Sequence, residues 1–268
     1  MFDLLNSFIN SKFFDKLPKY LSRRFFKIFK IFFVETKLKN LPSNNHPIEI
    51  NESDQFKIIE NFEDKFYKPF STCSYLLEVI SIYKTLKKNI TLLDFGANNI
   101  DNFIYLKRYL NEFKYIYHDL PKNNSKIKEL IKMKNLKNIT VIDRIEEIDN
   151  NIDFVFFGSS IHYINNYREI LNKISLKKIK YIIFSHTPFF ISKYNDKDVV
   201  MKQVNMHPVI NYAYLIEYNN FLDIMDKNGY KLISQNKNTL IKFLNFKNFK
   251  NYSFLNFLDL IFVNKNVN

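Results

Sequence analysis

A single cysteine, Cys73, excludes an internal disulfide framework and any multi-cysteine zinc site. A buried, inert thiol is the ordinary expectation for it. No uninterrupted apolar run reaches the ~18 residues needed to cross a bilayer. Lys and Asp interrupt every short apolar stretch at the N-terminus and no small-residue cleavage site follows, so a cytoplasmic location is expected. Tryptophan is absent and glycine is scarce: only Gly96, Gly158 and Gly229 occur, so each is expected where the backbone needs it. What is present is ordinary for a globular chain, with 46% apolar and 25% charged residues. At 268 residues there is room for one large α/β domain and a modest extension.

The net charge of +13 is uneven. Residues 1–40 hold nine basic and three acidic side chains, whereas residues 91–235 hold twenty and sixteen. The stretch PKYLSRRFFKIFKIFFVE begins at Pro18, and Phe25, Ile28, Phe29 and Phe32 follow the spacing of one helix face. Phe26 and Phe33 widen that face, while Arg23, Arg24, Lys27 and Lys30 gather opposite it. This pattern suits a helix lying in an anionic membrane surface through residues 18–34. It also suits a helix packed on the domain by its Phe face. No motif for nucleic acid accompanies the charge, and no nucleic-acid partner is expected. Residues 1–35 are therefore read as a basic amphipathic helical segment, the Pro- and Asn-containing residues 36–55 as a linker, and residues 56–268 as the main domain.

Within that domain, Tyr75, Leu76, Val79, Ile80 and Tyr83 have helical spacing. Short apolar runs then alternate with helix-like segments: ITLLDF (90–95), KYIYHD (114–119), NITVID (138–143), IDFVFFG (152–158) and KYIIFS (180–185). Runs apolar on both faces, separated by helices, predict a parallel sheet covered on both sides. A helix over 217–228 capped by Gly229, a strand YKLISQ and a last strand over 254–265, placed at the sheet's end, complete the reading. The expected fold is α/β: a Rossmann-like, doubly wound, about seven-stranded and mostly parallel sheet.

Ligands of such sheets bind at the carboxyl ends of the strands near the switch point. Those ends carry Asp94 and Gly96, then Asp119, then Asp143, then Gly158, Ser159, Ser160, His162 and Tyr163, then Ser185, His186 and Thr187. Asp119 follows Gly96 at about the ~20-residue interval of an acid that accepts from ribose hydroxyls. A dinucleotide needs a glycine-rich turn to bring the backbone against its pyrophosphate. Here the turn is Gly96-Ala97-Asn98-Asn99-Ile100-Asp101, with an acid at the helix start. S-adenosyl-L-methionine has no phosphate, its ammonium accepts an acidic neighbour, and Asn98 tolerates a left-handed backbone. The methyl donor is therefore the expected cofactor, with Asp94, Gly96, Asn98, Asp119, Asp143, Gly158 and Ser159 as its contacts.

In order, LLDFGANNIDNFIYL, YHDLP, FVFFGSSIHYINNYREIL, YIIFSHTPFF and GYKLI resemble the class I S-adenosylmethionine-dependent methyltransferases found among bacterial surface-polysaccharide gene clusters. The resemblance covers about residues 60–235 and is most specific at Ser-Ser-x-His-Tyr-Ile and His-Thr-Pro-Phe. It departs from that pattern at Asn98 and Ile100, where glycines are usual. It implies methyl transfer to a sugar or glycan precursor, and the cationic N-terminus suits a lipid-linked acceptor at the inner face of the membrane.

Transfer to a hydroxyl is an in-line displacement aided by positioning and a general base. His162 and His186 are the candidate bases, each with a purely structural histidine as its alternative. Tyr163, Thr187 and His207 are candidate acceptor contacts, His207 within a loop over 203–214 expected to close over the acceptor. His118 is read as structural. No His, Asp or Glu group shows metal-ligand spacing, so no metal is expected. The competing readings are a degenerate, non-catalytic binding module, motivated by the two lost glycines, and an NAD-linked oxidoreductase of nucleotide sugars, which the broken fingerprint disfavours.

Overall fold

The computed structural model describes residues 7–18, 21, 33–43, 71–84, 89–110, 112–149, 151–192, 197–204, 211–237, 249 and 252–266. Besides a single helical turn at Lys12–Asp15, its helices are α1 (Ser71–Lys84), α2 (Asp101–Tyr109), α3 (Pro121–Met133), α4 (Tyr167–Leu176) and α5 (Tyr218–Lys227). Its strands are β1 (Phe33–Glu35), β2 (Ile90–Phe95), β3 (Phe113–His118), β4 (Ile139–Val141), β5 (Phe154–Gly158), β6 (Tyr181–Ile191), β7 (Val199–Gln203), β8 (Asn211–Glu217), β9 (Tyr230–Lys237) and β10 (Phe254–Asn264).

The five parallel strands run in the order β4-β3-β2-β5-β6. On the far side of β6 lies β10, antiparallel to it, and β9 follows, antiparallel to β10. The chain leaves β2 toward β3 and β4, then returns to lay β5 on the other flank of β2. That reversal is the switch point, and it falls between Asp94-Phe95-Gly96 and Gly158-Ser159-Ser160.

Strand period explains the core. Val155 and Phe157 of β5 face one side, where they meet Tyr167, Leu171 and Ile174 of α4 and Phe221 and Met225 of α5. Phe154 and Phe156 face the other, against Ile80 and Tyr83 of α1, Phe103 of α2 and Ile127 of α3. Tyr83, Phe154 and Tyr181 pack as a trio of rings 4.9–5.2 Å apart.

Three features differ from the sequence expectation. First, ten strands rather than seven occur among the described residues. The additional ones, β8-β7-β1, form an antiparallel extension that takes over from β5 along the distal half of β6, with Phe189 and Phe190 opposite Ile216 and Glu217. Both ends of the expected loop over 203–214 are strand: Gln203 ends β7 and Asn211 begins β8, paired with one another, while 205–210 lie outside the described residues. Second, β10 does not end the sheet but is inserted between β6 and β9. Third, Phe33 sits in edge strand β1, not on a helix face, and Leu41 of the expected linker is buried in the main core. Residues 1–6, 19–20 and 22–32 of the segment expected to be helical, and the remainder of the expected linker, 44–55, lie outside the described residues. No helix among the described residues is long and apolar enough to cross a membrane.

Candidate functional site

The turn after β2 is shaped first by its own packing. Gly96 has φ +69°, and its N–H donates to His118 O at 2.8 Å. A Cβ there would stand 2.6 Å from Cβ of Ser160, so the glycine is required both by backbone and by space. Ser160 in turn donates to Phe95 O at 2.6 Å, tying the ends of β2 and β5 together across the switch point. Asn98 also has positive φ (59°), as its residue type allows, and its N–H donates to Asp119 Oδ2 at 2.5 Å. Asn99 Oδ1 accepts from Asp101 N–H at 2.9 Å and so caps the start of α2.

Asp94 is fully buried below this turn. Its Oδ2 accepts from Asn102 Nδ2 at 2.7 Å and from the Tyr115 hydroxyl. Its Oδ1 has no hydrogen-bond partner among the described residues. Burial, with Asp119 nearby, pushes the carboxyl up to about 7. Asp119, at the end of β3, is also raised, chiefly by burial. Its two oxygens accept from Leu120 N–H at 2.6 Å and Asn98 N–H at 2.5 Å. Asn124, on α3, joins the next strand end by accepting from Asp119 N–H at 2.9 Å and donating to Ile142 O at 3.0 Å. Asp143 lies on the exposed rim, bonded to Lys128 at 2.5 Å and lowered by that contact first.

Across the switch point, Ser159 follows Gly158 with φ +60° and donates its N–H to Ser185 O at 2.9 Å. A short 3-10 turn, Ile161–Tyr163, then buries His162. His162 Nδ1 has no partner among the described residues. Desolvation, then the neighbouring His186, pushes this imidazole down to about 3. The Tyr163 ring lies 4.3 Å from that of His162, and its hydroxyl donates to Gln203 Oε1 of β7 at 2.8 Å. The extension is thereby joined to the end of β5.

His186 does not stand beyond a strand end. β6 continues to Ile191, and His186 is the extra residue of a bulge: Ser185 and His186 together oppose Asp259 of β10. Its φ of +54° is held by Asp259 Oδ1, which accepts from His186 N–H at 2.7 Å and from Ser185 Oγ at 2.8 Å. The ring stacks on Phe257 at 4.4 Å. Thr187, the next residue, is buried in β6 opposite Leu258 and is not on an open wall. His207 lies outside the described residues.

The expected donor contacts Asp94, Gly96, Asn98, Asp119, Gly158 and Ser159 are thus gathered at adjoining strand ends, with Asp143 at the margin. His162, His186 and Tyr163 form a second group beside them. Sequence reasoning missed Asn102, Tyr115, Asn124, Gln203 and Asp259, and named Ser160 only as one of the polar groups at the end of β5. Only Asn102, in the first turn of a helix facing the Asp94 turn, carried a local signal. A cleft of about 680 Å³ opens at the opposite, amino-terminal edge of the sheet, among Tyr83, Glu112, Lys114, Asp153, Lys178 and Lys180. Asp153 is already engaged there by Thr91 N–H at 2.9 Å, and none of the strand-end groups reaches it.

No protein-family model and no curated protein sequence matches the chain. Solved structures do match it. A Galdieria sulphuraria protein assigned as a sarcosine dimethylglycine methyltransferase is 13% identical over 73% of this chain and 85% of its own, with a TM-score of 0.53. The 4+2 cyclase SpnF is 7% identical over 85% and 99%, with a TM-score of 0.51. An S-adenosylmethionine-dependent methyltransferase from Clostridium acetobutylicum is 11% identical over 80% and 99%, with a TM-score of 0.49. The likeness is one of fold, an α/β Rossmann-like architecture that in this set carries both methyl transfer and cyclisation.

Proposed function

We propose that the chain is an S-adenosylmethionine-dependent methyltransferase acting on a hydroxyl of a sugar or glycan precursor. The observation that carries the donor assignment is Asp94: a buried carboxylate with one unpartnered oxygen, beneath a glycine turn that no side chain could occupy. A ligand of net positive charge with an ammonium group fits that site. A pyrophosphate does not, because Asp94, Asp101 and Asp119 surround the turn.

When bound, the donor supplies an electrophilic methyl group on a sulfonium sulfur. Asp94 would hold the ammonium side, and Asp119 retains lone pairs for ribose hydroxyls. Gly158 and Ser159 would form the wall opposite, with Asn98 closing over and Asp143 at the rim. On the acceptor side His162, His186, Tyr163 and Gln203 are hydrogen-bonding groups, which suits a hydroxylated acceptor. His162, driven down to about 3, stays neutral and is a weak base. His186, the other imidazole on this side, would be the group to accept the proton of the acceptor hydroxyl. The same reading places the enzyme on the inner face of a membrane, with residues 18–34 and a lipid-linked acceptor.

Isothermal titration with S-adenosylmethionine and S-adenosylhomocysteine tests the assignment. Saturable heat from both at micromolar to sub-millimolar ligand is expected. No heat at millimolar ligand would sink it in favour of a binding module, and heat from NAD(H) instead would favour an oxidoreductase.

A further inference from the structure

The segment before β1 is held against the extension by specific contacts. Ser11 Oγ accepts from Phe14 N–H at 3.2 Å and starts a helical turn, Lys12–Asp15. Ile9 and Phe14 pack with Val34 of β1 and Val204, with Leu17 beside them. Lys202 of β7, only 2% exposed, donates to Ile9 O at 3.0 Å and lies 5.8 Å from the Phe14 ring. Asn10 Nδ2 donates to Glu35 O at 3.0 Å. Because Phe14 points in, the turn drives Phe13 out.

Phe13 is 67% exposed and Phe8 36% exposed, their rings 6.2 Å apart. Beyond β1, Leu38 is 45% exposed. Among the described residues nine large apolar side chains are exposed, and Phe8, Phe13, Leu21 and Leu38 all fall in the short stretches before residue 44. Exposed lysines flank them: Lys12 and Lys16 about Phe13, Lys37 and Lys39 about Leu38. The carboxylate of Glu35 is turned to the Tyr252 hydroxyl at 2.8 Å. Apolar side chains set among cations match an anionic lipid surface, where each term needs the other.

We infer that Phe8, Phe13 and Leu38, with Lys12, Lys16, Lys37 and Lys39, form a contact surface for an anionic bilayer. These residues flank the basic stretch 18–34 on both sides and are distinct from it. The surface is also fixed in relation to the acceptor side. The strand it rests on, β1, pairs with β7, whose Gln203 holds Tyr163. The contact itself does not rest on the methyltransferase reading; only its use in delivering an acceptor does.

Flotation of the full chain with vesicles containing 30% phosphatidylglycerol, against pure phosphatidylcholine, is the test. The wild-type chain should float with the anionic vesicles only, and less as salt rises. Phe13→Ser with Leu38→Ser should weaken binding by about tenfold or more. The melting temperature should change little, because Phe13 is 67% and Leu38 45% exposed. Lys12→Glu with Lys37→Glu should weaken it several-fold. Wild-type binding with an unaltered serine double variant overturns the inference, as does no wild-type binding. Self-association abolished by the serine variant, with vesicles ignored, overturns it in favour of a second copy. Heat of S-adenosylmethionine binding, measured on the same variants, separates failure here from failure of the donor assignment.

Discussion

The two sides of the switch point are built from opposite chemistry. The ends of β2, β3 and β4 carry carboxylates, Asp94, Asp119 and Asp143, served by amides, hydroxyls and backbone N–H groups. The turn after β5 and the bulge within β6 carry imidazoles, a phenol and, from the extension, an amide. Burial acts on both in the same direction, toward neutrality, and so moves their titrations apart: Asp94 up to about 7, His162 down to about 3. Burial thus favours the protonated form of Asp94 and the neutral form of His162. This division suits a charged donor facing an uncharged acceptor.

The strongest way to break the contrast is at Gly96, where the two sides touch. Gly96→Ala forces a non-glycine residue to positive φ and pushes Ser160 off Phe95 O. About 1–2 kcal/mol of backbone strain and a similar overpacking cost give a loss of about 3 kcal/mol. For a domain of this size that lowers the melting temperature by about 6–12 °C. Donor binding should fall below detection by calorimetry. A variant that melts like wild type would show that the turn yields more easily than its geometry implies.

The next effect sharpens the contrast through pH. Asp94 is raised in the folded state, so its contribution is complete below an ordinary Asp pKa of ~3.9 and is lost as pH rises toward 7. His162 is depressed, so its contribution is complete above ~6.5 and is lost as pH falls toward 3. Between about pH 4 and 6.5 the two slopes, each about 1.4 kcal/mol per pH unit at most, oppose one another. Asp94→Asn removes the falling slope, so its stability relative to wild type should increase with pH. His162→Gln removes the rising one and should do the reverse. Urea unfolding at half-unit pH intervals reads both, and parallel curves for all three proteins would refute the protonation states assigned here.

Much of the first side was legible in the sequence because its signals are local. ITLLDF is β2 to the residue, and the acids at successive strand ends follow from the βα repeat. The second side was not, because its order is set by long-range pairing. SHTPFF reads as the end of a strand, since Pro188 lacks a ladder donor. Yet β5 pairs with β6 only to Ser185 and β8 begins pairing at Phe189, so the proline falls in the gap between partners. VVMKQ and NYAYLIE are short and interrupted by Lys and Asn, and only pairing with β1 and β6 makes them strands. The shifts at Asp94 and His162 depend on burial by residues far away in sequence.

Asp259 confines a smaller effect to the second side. Asp259→Ala leaves the Ser185 hydroxyl and the His186 N–H without their acceptor in a buried bulge, costing about 1–3 kcal/mol. Asp259→Asn keeps an acceptor oxygen and should cost less. Urea midpoints measure both, and the donor dissociation constant should stay within about twofold of wild type. A large change in donor affinity would mean that the two sides are not separable as drawn.

The smallest effect tests whether the extension is energetically part of the site. Tyr163→Phe removes the hydroxyl that bonds Gln203 but keeps the ring against His162. Gln203→Leu removes the other partner. Each alone should cost about 1 kcal/mol, as loss of one neutral hydrogen bond does. If Tyr163 and Gln203 act through their mutual bond, the double variant should cost less than the sum of the singles, by about 0.5–1.5 kcal/mol. Neither change should alter the pH slopes of Asp94 and His162, since neither touches their burial. A coupling indistinguishable from zero would detach β7 from the Ile161–Tyr163 turn. The extension would then be a neighbour of the acceptor side and no longer part of its wall.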